Sequence, residues 1–242
     1  MRVPNKIIAN ADDLGYNSSV NKAILHCFEQ GYINSTSFMT NTPYFDEAAE
    51  LIHRNPVIAN IGIHVDLAEG KPLTNFKEDY LDDAGNWDIK KTNKVFNSLS
   101  RTAKMAFSKE INAQVDKALS AKIPLVHLDS HLHLHTLPCF YKLFLAVAKH
   151  HKLKIRLAQT YKEGSRLKFY YRRYINNIFI KNGQNYSDRF ETVEIFLQNK
   201  NQVHKNIITE VMLHPWFNPS GALEDHYDED ALTKWMNFLR NH

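Results

Sequence analysis

The sequence predicts an α/β fold, an irregular or incomplete (β/α) barrel that is TIM-barrel-like and forms a single domain over residues 1–242. Three observations carry that expectation. Short apolar runs alternate with amphipathic stretches, the pattern of parallel βα units. Ionisable residues gather where the predicted strands end, as functional groups do in barrel folds. The chain's 242 residues, 43% of them hydrophobic, are enough to bury one large core. An open doubly wound sheet is the alternative, because strand order cannot be read from a sequence.

From the amino terminus, Lys6 to Ala11 reads as a strand, Ser18 to Gln30 as a helix, Ser35 to Thr40 as a strand and Tyr44 to Arg54 as a helix. Val57 to Val65 is the next strand. Glu69 to Asn97, with Gly70, Pro72, Gly85 and many charges, reads as a long loop, an insertion near residues 69–100. A helix from Ser108 to Ala121 and a strand from Leu125 to Asp129 follow. Pro138 opens the next helix, which runs to His151; proline suits a first turn because the N–H it lacks is unpaired there anyway. Leu153 to Ala158 is a strand, Leu167 to Ile180 an aromatic-rich helix, Ile207 to Leu213 an apolar strand and Asp228 to Asn241 the closing helix. Six or seven strands are expected.

A net charge of +4 is mildly basic, and the positive residues are dispersed except in RLKFYYRR, Arg166 to Arg173. A nucleic-acid partner would call for a stronger stripe. That stretch reads as a basic amphipathic helix face, with acidic partners or a membrane surface as weaker options. The two cysteines, Cys27 and Cys139, lie far apart in segments read as helical, so a disulfide framework is not expected and a reducing cytoplasm is. Neither a secretory signal nor a membrane-spanning run is apparent. P-loop, dinucleotide-binding and nucleophile-elbow motifs are absent.

The stretch HLDSHLHLH, His127 to His135, holds four of the chain's 13 histidines and one aspartate. Every second residue is ionisable: His127, Asp129, His131, His133 and His135. As an extended strand it would carry all five on one face. Three other predicted strands end in polar clusters: NADDLG (Asn10 to Gly15), GIHVDL (Gly62 to Leu67) and LHP (Leu213 to Pro215). Elements distant in sequence thus deliver carboxylates and imidazoles to one barrel face, and their convergence says more than any single motif.

Each candidate also has a plainer reading. Asp12 and Asp13 could cap a helix, although Asn17 or Ser18 is better placed to do so; as a site, two adjacent carboxylates can divide cation binding and base catalysis between them. His64 alone could be a hydrogen-bonded core histidine, and Asp66, two positions on, is expected on the same face. His131 is the best placed ligand of its run, since a metal site with an open position needs about three protein ligands. His133 and His135 then stabilise the loop or assist function. A closed structural zinc site is disfavoured by the lack of a nearby cysteine. His214 suits a general acid or a packed corner. Arg156 is a candidate for oxyanion or substrate-carboxylate contacts, or else a solvated strand-end charge.

Together NADDLG, STSFMTN (Ser35 to Asn41), GIHVDLAEGKPL, HLDSHLHLH and EVMLHPWF occur in the order and approximate spacing of YdjC-like carbohydrate deacetylases, which include chitooligosaccharide and hopanoid-biosynthesis-associated deacetylases. The chain resembles that family from Ile7 to about Phe217. The resemblance implies an irregular (β/α) barrel and a divalent-metal-dependent hydrolase that removes acetyl groups from N-acetylated sugars. It places metal ligands on Asp13, His64 and His131. Similarity to the broader polysaccharide deacetylases suggests Asp12 as general base and His214 as general acid, with the division between the two aspartates the looser part. The region between GKPL and the fourth strand, and that from Glu163 to Asn206, match no motif and are expected to shape substrate choice.

The implied cofactor is one divalent ion, zinc or magnesium, with cobalt, nickel or manganese also compatible; a two-histidine site makes magnesium the less natural. The expected partner is an N-acetylated sugar or oligosaccharide, without nucleic acid or stable membrane insertion. A homodimer could use the aromatic helix around Phe169 to Tyr174. Two alternatives stand beside this reading. A metal-dependent phosphoesterase would normally need two metals and more basic residues, and a non-catalytic sugar-binding protein would not need the full set of ionisable groups.

Overall fold

Strand β1 (Ile7–Leu14) pairs in parallel with β2 (Ser35–Phe38) on one edge and with β7 (Thr209–Leu213) on the other. The computed structural model describes residues 2–77, 79–94, 98–200 and 206–241. With β3 (Ile61–Val65), β4 (Leu125–Ser130), β5 (Lys154–Ile155) and β6 (Arg189–Thr192), these strands form a seven-stranded parallel sheet in the order β5-β4-β3-β2-β1-β7-β6. Read as a cycle, that is the sequential order of a (β/α) barrel left open between β5 and β6. The sheet is a curled half-barrel with helices around it, an incomplete α/β barrel in one domain, and not the open doubly wound alternative. Across the opening, Tyr186 N–H donates to the Ile155 carbonyl (2.8 Å) and Thr160 N–H to the Phe190 carbonyl (3.1 Å).

Period-2 alternation sorts each strand into two faces. Ala9, Ala11, Ile61, Ile63, Val65, Leu128, Val211 and Leu213 are buried on the face covered by helices α1 (Ser18–Glu29), α2 (Phe45–Arg54), α4 (Arg101–Ser120), α5 (Tyr141–His151) and α7 (Val193–Asn199). Each large aliphatic side chain so buried contributes about 1.5–3 kcal/mol. The opposite face, inside the half-barrel, is polar: Asn10, Ser35, Ser37, His127, Asp129 and Glu210 are all buried there. Several of them are joined by hydrogen bonds. Ser35 Oγ donates to Asn10 Oδ1 (2.6 Å), Asn10 Nδ2 to Ser37 Oγ (2.9 Å), and Ser37 Oγ to Asp129 Oδ2 (2.7 Å). Gly62 makes room for this layer, since a Cβ there would stand 2.2 Å from His127 Nε2.

The expected elements appear with shifted ends. Helix α4 starts at Arg101, seven residues before the expected Ser108, because Ser100 caps it by accepting from Ala103 N–H (3.0 Å). Helix α5 starts at Tyr141, so Pro138 and Cys139 lie in the preceding turn. The expected strand from Leu125 to Asp129 appears one residue longer, ending at Ser130. His131–Thr136 is a 3-10 turn in which Leu132 (φ 52) and His133 (φ 56) are left-handed, so the five ionisable residues do not share one strand face. The reading also missed β6, α7 and the antiparallel pair β8 (Pro215–Phe217) and β9 (Leu223–Asp225), all too short to show a period.

Within the predicted insertion near 69–100, the described residues are docked rather than loose. Phe76 and Trp87 are buried with ring centroids 4.7 Å apart, and Glu110 of α4 accepts from Leu73 N–H (2.9 Å) and Thr74 N–H (2.8 Å). A single turn, α3 (Ile89–Thr92), follows. Residues 78 and 95–97 of that region, and 201–205 of the second motif-free region, lie outside the described residues. The later helices are α6 (Arg166–Lys181) and α8 (Ala231–Arg240). Among the described residues, no helix is long and apolar enough to cross a membrane.

Candidate active site

Adjacent residues in a regular strand point to opposite faces, yet Asp12 and Asp13 both serve the mouth of the half-barrel. The end of β1 is irregular: its register against β2 shifts between Ala11 and Leu14, and Asp13 is left-handed (φ 68). Aspartate tolerates that region better than β-branched residues do. Neither aspartate caps the next helix; Asn17 does, accepting from Val20 N–H (2.9 Å).

Asp13 is met by two imidazoles. Its Oδ1 lies 3.1 Å from His64 Nε2 and 3.0 Å from His131 Nδ1. Burial alone would raise the Asp13 pKa, but the two rings outweigh it and hold the carboxyl well below the ordinary range. Asp13, His64 and His131 are all buried and offer ligand atoms that lie within 4.8 Å of one another. His64 Nδ1 sits 2.7 Å from Asp129 Oδ1, the carboxylate–imidazole pairing that orients metal-binding histidines. His131 Nε2 is buried without a hydrogen-bond partner, and the Glu69 carboxylate is 3.9 Å away. One oxygen and two nitrogen donors suit a borderline divalent cation, so these residues fit the expected ion. A second grouping, Asp12, His64 and Asp129, is similarly tight. Arg156 already neutralises both of its carboxylates, which makes the first grouping the better cation site.

Arg156 departs from both of its sequence readings. It is neither solvated nor free for a substrate. Fully buried, it donates from Nη1 and Nη2 to the two Asp12 oxygens (2.6 Å each), from Nη2 to Asp129 Oδ2 (2.8 Å) and from Nε to Glu210 Oε1 (2.7 Å). Burial works to raise the Asp12 pKa, but Arg156 prevails and keeps the carboxyl below its usual value, hence ionised. Asn10 Nδ2 donates a further bond to Asp12 Oδ1 (2.8 Å).

His214 follows β7 directly and faces Asp12 from the other side, with its Nε2 3.9 Å from Asp12 Oδ2. Its backbone N–H donates to Asp225 Oδ2 (2.7 Å), and its Nδ1 lies 3.6 Å from Asp225 Oδ1. The Tyr227 ring packs edge-on at 4.5 Å. Burial would lower the His214 pKa, but Asp225 overcomes it and the pKa is raised, which favours the protonated ring.

The remaining candidates are structural in their contacts. Asp66 leaves the face of His64 and ties a turn, accepting from Ala68 N–H (2.8 Å), Glu69 N–H (3.0 Å) and Asn41 Nδ2 (3.1 Å). His135 Nδ1 lies 2.9 Å from Ser130 Oγ, which also accepts from the His135 N–H (2.8 Å); burial pushes this imidazole down to about 3, so it stays neutral. His127 stacks on Tyr186 with centroids 4.0 Å apart, and burial lowers it to about 4. His133 packs edge-on against Phe190 at 5.6 Å.

The sequence reading assigned no role to Asp129, Glu210, Asp225 and Tyr227. Glu210 had a usable signal, a lone acid inside the apolar run IITEVML. Asp225 had none, because it reaches His214 only through the hairpin β8–β9.

The fold and the cluster define an incomplete α/β barrel with a buried Asp/His cluster, able to hold a cation, at the carboxyl ends of its strands. The chain belongs to the YdjC-like protein family, whose model matches residues 6–237. A carbohydrate deacetylase of Listeria monocytogenes serotype 4b is 30% identical over 214 residues, covering 88% of this chain and 82% of its own. One from Vibrio parahaemolyticus is 34% identical over 151 residues, 62% of this chain and 58% of its own. One from Brevibacillus brevis is 26% identical, covering 90% of this chain and 84% of its own. A crystal structure from Enterococcus faecalis V583, provisionally described as a cellobiose-phosphate cleavage protein, shares the fold, with a TM-score of 0.73 at 22% identity over 95% of this chain and 88% of that one.

Proposed function

We propose that this chain is a metal-dependent carbohydrate deacetylase that hydrolyses the amide of an N-acetylated sugar and releases acetate. The observation that carries the reading is the arrangement of Asp12 and His214, 3.9 Å apart, beside the Asp13, His64 and His131 cluster. The relatives named carbohydrate deacetylase supply the reaction class. A divalent ion held by Asp13, His64 and His131, with zinc, cobalt, nickel or manganese ahead of magnesium, would supply Lewis-acid polarisation of the acetyl carbonyl and of water.

The chain's own groups handle the protons. Asp12, held ionised by Arg156, takes a proton from the water whose oxygen adds to the acetyl carbon. His214, whose protonated form Asp225 favours, gives its proton to the amide nitrogen as the C–N bond breaks. An amine leaves poorly without that proton, which assigns His214 a step the chemistry requires. Acetate and the free amino sugar are the products. The polar network behind Asp12 holds both oxygens of the base in one orientation, so geometry is set before substrate arrives.

A phosphoesterase is less well supported, because Arg156, the basic residue considered for anion contacts, is fully engaged by Asp12, Asp129 and Glu210. The test is acetate release from N-acetylglucosamine and chitobiose by metal-free protein, before and after adding back single divalent ions. Metal-dependent release that collapses in Asp12→Asn, while metal binding survives, is the expected result. Wild-type turnover by Asp12→Asn would remove Asp12 as the base, and no release with any ion from folded, metal-loaded protein would count against the deacetylase itself.

A further inference from the structure

The two imidazoles of the Asp/His cluster meet Asp13 through different nitrogens. His64 presents Nε2 (3.1 Å) and His131 presents Nδ1 (3.0 Å), both to Asp13 Oδ1. A neutral imidazole carries one proton, so a ring that gives one nitrogen to a metal keeps its proton on the other and has to donate it to an acceptor. For His64 the acceptor is in place, with Asp129 Oδ1 2.7 Å from Nδ1. For His131 the equivalent atom is Nε2, which is buried without a hydrogen-bond partner. A buried polar atom left in that state calls for an explanation. Glu69 supplies one. Its Oε1 stands 3.9 Å from Nε2, too far for a hydrogen bond but near enough for a side-chain rotation to close the gap.

The surroundings of Glu69 suit that movement. Its backbone is fixed, since its N–H donates to Asp66 Oδ1 (3.0 Å) and its carbonyl accepts from Asn41 Nδ2 (3.4 Å). Its side chain is 49% exposed and is steadied by Tyr16, whose O–H donates to Oε2 (3.2 Å). The Tyr16 ring lies against His131, with centroids 6.4 Å apart, and the Tyr16 N–H donates to the Asp13 carbonyl (2.9 Å). One tyrosine therefore touches the carboxylate, the ring it would serve and the aspartate they share. Asp129, by contrast, is fully buried and pinned by Ser37 and Arg156. Among the described residues, Glu69 belongs to neither grouping that could hold an ion, which places it outside the ligand set.

We propose that Glu69, aimed by Tyr16, is a positioning residue for the cation site: it accepts the Nε2 proton of His131 when Nδ1 serves the ion, as Asp129 does for His64. The inference rests on the metal reading of Asp13, His64 and His131.

The test is calorimetric titration of metal-free wild type, Glu69→Ala and Glu69→Gln with zinc, joined to proton NMR of the cobalt-loaded proteins. The Glu69 carboxylate takes no part in the backbone bonds of its turn, so both variants should keep the fold. The zinc Kd is expected to weaken roughly 10–100-fold in Glu69→Ala, the usual cost of losing such a partner. Glu69→Gln, whose amide oxygen still accepts from Nε2–H, should recover part of that loss. Cobalt-loaded wild type should show two exchangeable imidazole N–H signals, one from each histidine, with that of His64 identified by its response to Asp129→Asn. In Glu69→Ala the His131 signal should be lost to exchange with water while the His64 signal stays. Loss of both signals would mean a merely structural role and would overturn the proposal. So would an unchanged Kd or an unchanged His131 signal, each of which leaves the cation site standing. Wild type that binds no divalent ion would overturn the inference together with the metal-dependent reading.

Discussion

Arg156 and Asp12 are joined by two hydrogen bonds of 2.6 Å, although 144 residues separate them in the chain. The contact is bidentate, and it places the positive charge of a fully buried guanidinium beside the proposed base. The same guanidinium reaches Asp129 and Glu210, so one side chain of β5's trailing edge fixes carboxylates from β1, β4 and β7.

Arg156→Lys keeps the charge and loses the fork, a substitution that is not conservative at a bidentate site. Asp12, less firmly held in its ionised form, should titrate higher. The acid limb of the kcat/KM profile is expected to move to higher pH, and turnover to fall roughly ten- to hundredfold, within the usual range for general-base catalysis. A pH–rate profile that superimposes on wild type would show that Arg156 does not tune the base.

Asp129 acts through His64. Its Oδ1 stands 2.7 Å from His64 Nδ1, on the far side of the ring from Asp13. Asp129→Asn is expected to weaken divalent-metal affinity by roughly 10–100-fold, the usual cost of losing such a partner. Calorimetric titration of the metal-free protein with zinc reads this directly, and an unchanged Kd would mean that His64 needs no orienting carboxylate.

Gly62 is where it is because of His127. An added Cβ would fall 2.2 Å from Nε2 and 2.4 Å from Cδ2 of that ring, and the ring is pinned by its stack on Tyr186. Gly62→Ala is expected to destabilise by about 1–3 kcal/mol, the usual cost of overpacking. Chemical denaturation of Gly62→Ala, His127→Ser and the double variant makes a cycle in which the second change should relieve much of the first. Strict additivity would mean that the ring moves freely.

Glu191 on β6 accepts from Tyr161 N–H (2.7 Å) and Thr160 N–H (3.1 Å) while fully buried, and burial raises its carboxyl from 4.5 to about 7. The sign follows from linkage. Below the unfolded pKa the group is protonated in both states and carries no penalty; as pH rises through the folded pKa the native state must hold a buried charge, and stability is lost. Glu191→Gln should therefore gain on wild type between pH 5 and pH 8, by an amount on the order of 2 kcal/mol, since one pKa unit is worth about 1.4 kcal/mol. Thermal unfolding at the two pH values decides it, and a gain independent of pH would place the effect elsewhere.

Strand polarity and helix order were legible in the sequence, because each depends on local periodicity, and the ligand set Asp13, His64 and His131 was implied by the family resemblance. The structure brings those three side chains together. The sequence also carried the competing possibilities for Asp12 and Asp13, which differ only in conformation: the left-handed backbone at Asp13 turns its carboxylate to the histidines and leaves Asp12 to Arg156. Tertiary structure alone decided the rest. Arg156 read as a substrate contact or a solvated charge because burial is not a local property, and three carboxylates had to converge before a guanidinium could be held in the interior. His135 could stabilise the loop or assist function by sequence alone, and only the turn at Leu132 and His133 sends it to Ser130. Asp225 reaches His214 through a hairpin of two three-residue strands, too short for any periodicity to announce. Residue chemistry is written along the chain; which groups share a charge, a cavity or a proton is set by the closing of the sheet.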